Sequence, residues 1–120
     1  MTGDQALQEL LDVSEDVVAS VLFDLEGEPI GATVGAEDAR SVVETAGAML
    51  AYADALRTKP SAERLEAVTA EGSIFVVRKG RRAVVAATGR DPVAGLVYHD
   101  LRAALRKVKR GAKEKADAAS

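Results

Sequence analysis

The chain has 120 residues and a mass of 12.5 kDa, which fits one domain with one ordinary core. Hydrophobic residues make up 48% and charged residues 29%, a composition too apolar for a disordered chain. The absence of cysteine excludes disulfides, thiolate metal sites and iron–sulfur clusters, and the 3% of aromatic residues leaves little material for a base-stacking nucleic-acid platform.

The net charge of −3 is unevenly distributed along the chain. Residues 1–100 hold nine basic and seventeen acidic side chains, whereas residues 101–120 hold seven and two. We interpret residues 1–108 as a single domain and residues 109–120 as a basic, disordered tail. No apolar run is long enough for a membrane span, and the polar start is unlike a signal peptide. These features predict a cytoplasmic protein.

A helix and a hairpin are predicted first. The stretch TGDQALQELLDV places its leucines at helical spacing, with Thr2 or Asp4 able to cap the helix. Two β-branched and aromatic runs follow, roughly Val17 to Phe23 and Pro29 to Val34. They flank the turn DLEGE, in which Gly27 can take a positive φ.

The longest predicted element is a helix from Ala36 to about Arg57, which ends before Pro60. Its apolar stripe is formed by Ala39, Val42, Val43, Ala46, Met49, Leu50, Ala53 and Leu56. The opposite face is small and poor in charge, and it includes Glu44, Ala48, Ala51, Tyr52 and Ala55. Such a face lets another helix approach closely, but alanine is also the best helix former at an exposed position, so both interpretations stay open.

Three strands and a last helix complete the predicted order. RLEAVTA, SIFVVR and RAVVAAT form a meander whose last two strands are continuously apolar, as in strands covered on both faces. Asp91 and Pro92 are predicted as the N-cap and first residue of the helix. Its apolar stripe is formed by Val93, Leu96, Val97, Leu101, Ala104, Leu105 and Val108. His99, the only histidine, lies off this stripe and is predicted to be a surface residue.

Motifs that carry chemistry are missing from the sequence. It contains no phosphate-binding loop, no dinucleotide fingerprint and no nucleophile elbow. We therefore predict no catalytic, cofactor-binding or metal-binding residue, and a protein that is not an enzyme. The basic hairpin tip RKGRR can meet a phosphate or an acidic protein surface, or can simply keep the hairpin soluble.

The order αββαβββα, the hairpin VLFDLEGEPIGAT, the meander LEAVTAEGSIFVVRKGRRAVVAAT and the closing DPVAGLVYHDLRAAL together resemble the roadblock family. This family is related to dynein light chains and to bacterial and archaeal partners of Ras-like GTPases. The similarity covers about Leu7 to Val108. It implies an α+β fold in which a five-stranded antiparallel sheet carries the long helix on one face and the two terminal helices on the other.

The resemblance also implies a homodimer formed by pairing the third strand with its copy, beside the two long helices. The residues of this strand are Arg64, Leu65, Glu66, Ala67, Val68 and Thr69. The joined platform would bind a small Ras-like GTPase, as a regulator or a scaffold, and no catalytic residue or cofactor is carried over. We expect a prokaryotic source, and the Ala-rich, Arg-over-Lys composition is typical of a GC-rich genome. No nucleic-acid partner is expected.

One alternative from a different class is a small-molecule sensor of related layout. Its ligand would sit between the sheet and a helix, and this requires a roomy pocket.

Overall fold

The computed structural model describes residues 2–56 and 63–119, with side chains described as far as Val108. The elements follow the predicted order αββαβββα. Their bounds are α1 Gly3–Val13, β1 Val17–Asp24, β2 Pro29–Ala32, α2 Ala36–Leu56, β3 Arg64–Val68, β4 Ser73–Lys79, β5 Arg82–Thr88 and α3 Ala94–Ala119.

The five strands form one antiparallel sheet in the order β2-β1-β5-β4-β3. The centre of the sheet is β5, whose residues 83–86 are all buried. This burial confirms that β4 and β5 are covered on both faces, as their continuous apolar sequences predicted. Consequently β2 and β3 are the two edges of the sheet.

The helices cover the two faces of the sheet as the resemblance implied. Helices α1 and α3 pack on one side, which we call the paired-helix face, around a core that includes Leu7, Phe75 and Leu101. Helix α2 packs on the other side, the α2 face, around Val43 and Val76. The neighbours Phe75 and Val76 serve different cores because successive side chains of a strand point to opposite faces.

Local hydrogen bonds explain where the first elements begin and turn. The Thr2 hydroxyl accepts the N–H of Gln5 at 3.1 Å and the Gln5 side chain accepts the N–H of Thr2 at 2.9 Å, a capping box that starts α1. The Asp24 carboxylate accepts the N–H of Glu26 at 2.9 Å, and Gly27 has a φ of 99°. The predicted cap and turn are thus confirmed.

The predicted stripe of α2 is wrong at its last residue. Leu56 is 70% exposed, whereas Leu50 is 3% exposed. A straight α-helix drifts by about 20° per seven residues, so Leu56 lies rotated away from the half-buried Val42 and Met49 of the same repeat. The helix ends at Leu56, and the predicted stop at Pro60 lies outside the described residues.

The start of α3 also differs from its prediction. The helix begins at Ala94, and Asp91 adopts a φ of 55° instead of capping it. The first helical bond is accepted by the carbonyl of Val93, at 3.1 Å from the nitrogen of Val97. The N–H of Val93 in turn donates to the carboxylate of Asp16, at 3.0 Å. A contact distant in sequence therefore sets this helix start.

Two residues of the predicted α3 stripe are exposed. Val93 precedes the helix and is 57% exposed, and Leu96 is 60% exposed because it lies about 100° around the helix from the buried Val97. The other five stripe residues are buried, as predicted. The helix extends to Ala119, and the division into a domain at 1–108 and a disordered tail at 109–120 stays a prediction.

Candidate interaction surface

The backbone of β3 alternates between bonding to β4 and facing outward. The N–H of Arg78 donates to the carbonyl of Glu63 at 2.7 Å, and two residues further Leu65 is paired with Val76. In an antiparallel ladder, hydrogen-bonded pairs recur at every second residue. The odd-numbered residues of β3 therefore direct their peptide groups toward β4.

The even-numbered residues of β3, which are Arg64, Glu66 and Val68, direct their N–H and C=O groups away from the sheet. Within the described residues no strand lies beyond this edge. An open edge offers a row of donors and acceptors to any extended chain, and proteins usually cover or pair such edges. The structure therefore presents an edge ready for pairing.

The side chains of β3 divide between the two faces of the sheet. Three exposed side chains lie on the paired-helix face: Arg64, Glu66 and Val68. Leu65 and Ala67 are half-buried on the α2 face, where Leu65 packs against the core. Thr69 follows the end of β3, and its hydroxyl donates to the carbonyl of Gly72 at 2.9 Å. Of the predicted strand residues, five lie on the edge strand and Thr69 lies in the next turn.

The side chain of Arg64 is held against the paired-helix face by Tyr98 of α3. Its guanidinium carbon lies 5.1 Å from the centre of the Tyr98 ring, within the range of a cation–π contact. The Tyr98 ring itself meets Phe75 edge to face, with centroids 5.1 Å apart. Burial raises the pKa of the Tyr98 phenol, Glu66 raises it further, and Arg64 opposes the rise.

The predicted partner face of α2 is exposed along its whole length. It comprises Glu44, Ala48, Ala51, Tyr52 and Ala55. Tyr52 is the largest apolar group among them and is 69% exposed. The face therefore presents mostly methyl groups to the surroundings, flanked by one aromatic ring and one carboxylate.

An ion pair positions the C-terminal end of α2 near the β3 edge. The guanidinium of Arg78 donates two hydrogen bonds to the carboxylate of Asp54, at 2.9 and 2.8 Å. These bonds raise the pKa of Arg78, and burial opposes the rise. Arg78 lies on β4, the strand next to the edge strand β3, and its N–H donates to the carbonyl of Glu63 just before β3. The C-terminal end of α2 is therefore one strand away from the open edge. Sequence reasoning missed this pair, since its members are 24 residues apart and no local pattern links them.

The space between the sheet and α2 is small. A cavity of about 110 Å³ is lined mainly by apolar side chains, among them Val21, Val42 and Ile74. Pockets for small-molecule ligands usually have volumes of about 300–1,000 Å³. The cavity therefore disfavours the alternative in which a sensor ligand sits between sheet and helix.

His99 is a surface residue of α3, as predicted. Its side chain is 69% exposed, and its Nδ1 lies 3.3 Å from a carboxylate oxygen of Asp100. Among the described residues no group of three His, Cys, Asp or Glu side chains is placed to hold a metal ion. In the same part of the chain no helix is both long and apolar enough to cross a bilayer.

The architecture, with its layers and open edge strand, is the roadblock fold, and comparison with solved structures supports this assignment. A Roadblock/LC7 domain from Streptomyces avermitilis matches with a TM-score of 0.82 at 12% identity, over 92% of this chain and 97% of that chain. The gliding protein MglB from Thermus thermophilus matches with a TM-score of 0.69 at 18% identity, over 92% of this chain and 87% of that one. The resemblance inferred from sequence is thus confirmed for the fold.

A third solved structure, MglC from Myxococcus xanthus, matches with a TM-score of 0.60 at 13% identity, over 89% of this chain and 96% of that chain. Another, an MglB, is described as having a tetrameric arrangement. No family model and no curated protein sequence matches this chain. At these identities the likeness concerns the fold, and function is argued separately below.

Proposed function

We propose that the protein is a homodimeric interaction module that binds a small Ras-like GTPase in a prokaryotic cytoplasm and regulates or scaffolds it, without catalysing a reaction itself. The observation that carries the proposal is the open β3 edge near an exposed α2 face of small side chains, within a roadblock fold. The choice of a small GTPase as the partner rests on the resemblance to the roadblock family. The similarity to an MglB structure with a tetrameric arrangement supports self-association.

The dimer would join two β3 strands as antiparallel neighbours about a two-fold axis. Only outward-facing peptide groups can bond across it, so Arg64, Glu66 and Val68 must pair among themselves. One register places Glu66 opposite the partner's Glu66, where two like charges repel. Another places Arg64 opposite the partner's Glu66 and, by symmetry, Glu66 opposite the partner's Arg64. Charge complementarity favours this second register, which also brings Leu65 next to the partner's Leu65 on the α2 face.

A charge swap tests this register. Glu66→Arg puts an arginine opposite Arg64 in both symmetry-related pairs of the dimer. We expect the dissociation constant of the dimer to rise about tenfold. The double variant Arg64→Glu with Glu66→Arg restores opposite charges and should recover the affinity of the wild type. The dissociation constants are measured by analytical ultracentrifugation. A double variant as weak as the single one would contradict this register, because the register with Glu66 opposite the partner's Glu66 would leave two arginines opposed in both variants.

The solution mass tests the dimer on the helix side. Light scattering should give about twice 12.5 kDa for the wild type. Ala51→Glu places a charge on the exposed α2 face, where a close helix contact cannot accommodate it without loss of affinity, and the mass should fall toward that of a monomer. Gln8→Glu is the control, since it adds a charge at an exposed site of α1 on the other face. A wild-type monomer at micromolar concentrations would refute the homodimer.

The GTPase part is tested with the small Ras-like GTPases encoded in the source genome, loaded with GDP or a non-hydrolysable GTP analogue. We expect one of them to bind the dimer with a clear preference for one nucleotide state. The hydrolysis rate measured with and without the dimer separates a regulator from a scaffold. If no GTPase binds while the dimer itself forms, the interaction module stands and its assigned partner is wrong.

A further inference from the structure

Basic side chains converge at the end of the sheet where the β4–β5 turn meets the middle of α3, at Leu105 and Arg106. They line an open groove of about 580 Å³ between that turn, the β1–β2 turn and α3, which we call the basic groove. Its cationic residues are Lys79, Arg81, Arg82 and Arg106. Three of them belong to the hairpin tip RKGRR, and the fold adds Arg106 from α3, which no local stretch of sequence links to that tip.

The charge of the basic groove is largely uncompensated. Its two acidic residues are Asp24, which accepts hydrogen bonds from N–H groups of its own turn, and Glu26, which lies 3.7 Å from Arg81. Among the described residues, Lys79 and Arg106 have no carboxylate within ion-pair distance, and both are exposed. The groove therefore has four cationic and two acidic side chains, although the whole chain has a net charge of −3.

Apolar groups lie among these cations. Leu25 at the β1–β2 turn is 44% exposed, and Ile30 and Leu105 also line the groove. Backbone bonding holds the turns together, because the N–H of Leu25 donates to the carbonyl of Arg81 at 3.0 Å. The groove therefore has both apolar and cationic lining residues, on two turns that are joined by a backbone hydrogen bond.

We propose that the basic groove binds an acidic segment of a partner polypeptide, with its carboxylates on Lys79 and Arg106 and an apolar side chain against Leu25. Guanidinium and ammonium groups form charge-assisted hydrogen bonds with carboxylates, and an apolar contact adds orientation. This surface lies near the middle of α3, about three turns from its start at Ala94, and it does not depend on pairing of the β3 edges.

The lining argues against two other anionic partners. A nucleic-acid strand carries evenly spaced phosphates and binds best where aromatic rings stack its bases, whereas the residues lining the groove include no aromatic ring. A flat anionic membrane would be repelled by Glu26 and Glu28, which are exposed on the β1–β2 turn. A peptide can place its carboxylates selectively and so avoid these two side chains.

The test uses a fluorescently labelled dodecapeptide of glutamate residues with one central leucine, titrated with the full-length protein and followed by anisotropy. We expect saturable binding that weakens with added salt, and no binding of the analogue in which glutamine replaces every glutamate. The double variant Lys79→Gln with Arg106→Gln should weaken binding about tenfold. The matched control Arg40→Gln with Arg90→Gln removes the same charge elsewhere and should leave the affinity unchanged.

Parallel titrations use a double-stranded DNA oligomer and phosphatidylserine vesicles. The proposal is overturned if either binds more tightly than the peptide, if the peptide fails to saturate, or if the control variant weakens binding as much as the groove variant. Circular dichroism of each variant confirms that its fold is intact. The mass from light scattering, measured on the same samples, separates failure of this proposal from failure of the proposed dimer.

Discussion

Glu66→Pro is expected to convert the protein from a dimer into a monomer while leaving the domain folded. Proline has no N–H, and the N–H of Glu66 faces the open edge, so the substitution removes a donor from the proposed dimer and none from the β3–β4 ladder. Each dimer loses one hydrogen bond and one ion pair on each side of the axis. We expect the dissociation constant, measured by analytical ultracentrifugation, to rise about a hundredfold.

The neighbouring position supplies the control. Leu65 is paired with Val76 and directs its N–H toward β4, so Leu65→Pro breaks the ladder inside one protomer. This variant should have a clearly lower melting temperature than Glu66→Pro when both are measured as monomers at low concentration. A Glu66→Pro protein that still dimerises with the affinity of the wild type would show that the β3 edge is not the interface.

Phe75→Ala is expected to cause a large loss of stability. The Phe75 side chain is fully buried on the paired-helix face, and its ring supports Tyr98 of α3. Truncation of a buried phenylalanine to alanine usually costs about 3–5 kcal/mol, because apolar surface is lost and a cavity remains. Urea denaturation should show a lower midpoint with an unchanged slope.

The control for this variant is Val18→Ala, since Val18 lies on a core strand but is 66% exposed. Its expected cost is below about 0.5 kcal/mol. A loss of less than about 1.5 kcal/mol for Phe75→Ala would mean that the core around α3 closes over the vacated space.

Periodicity and turn chemistry were sufficient to predict the order of the elements. The stripe that includes Val43 and Leu50 indicated α2, and the positive φ of Gly27 explains why the first hairpin turns where it does. The continuous apolar runs of β4 and β5 predicted strands covered on both faces. These features are local, because each depends on residues within a few positions of one another along the chain.

The errors have two causes, which are a contact distant in sequence and the rotation of apolar positions around a helix. Asp91 follows the sequence pattern of an N-cap, but the carboxylate of Asp16 binds the N–H of Val93 and α3 begins later. Leu56 belongs to an apolar repeat, yet the drift of that repeat around the helix leaves it exposed. The Asp16 contact cannot be read from a local pattern, because its two residues are 77 positions apart.

The candidate surface divides in the same way. The sequence by itself determined that α2 has a small, charge-poor face and that RLEAV lies in a strand, because composition and spacing express these properties directly. Only the tertiary structure decided that β3 is an edge strand, that the peptide groups of Arg64 and Glu66 face outward, and that Lys79 and Arg106 share one groove. Strand order, register and the approach of a helix to a turn arise from packing between segments far apart in the chain, and for this reason no stretch of sequence contains them.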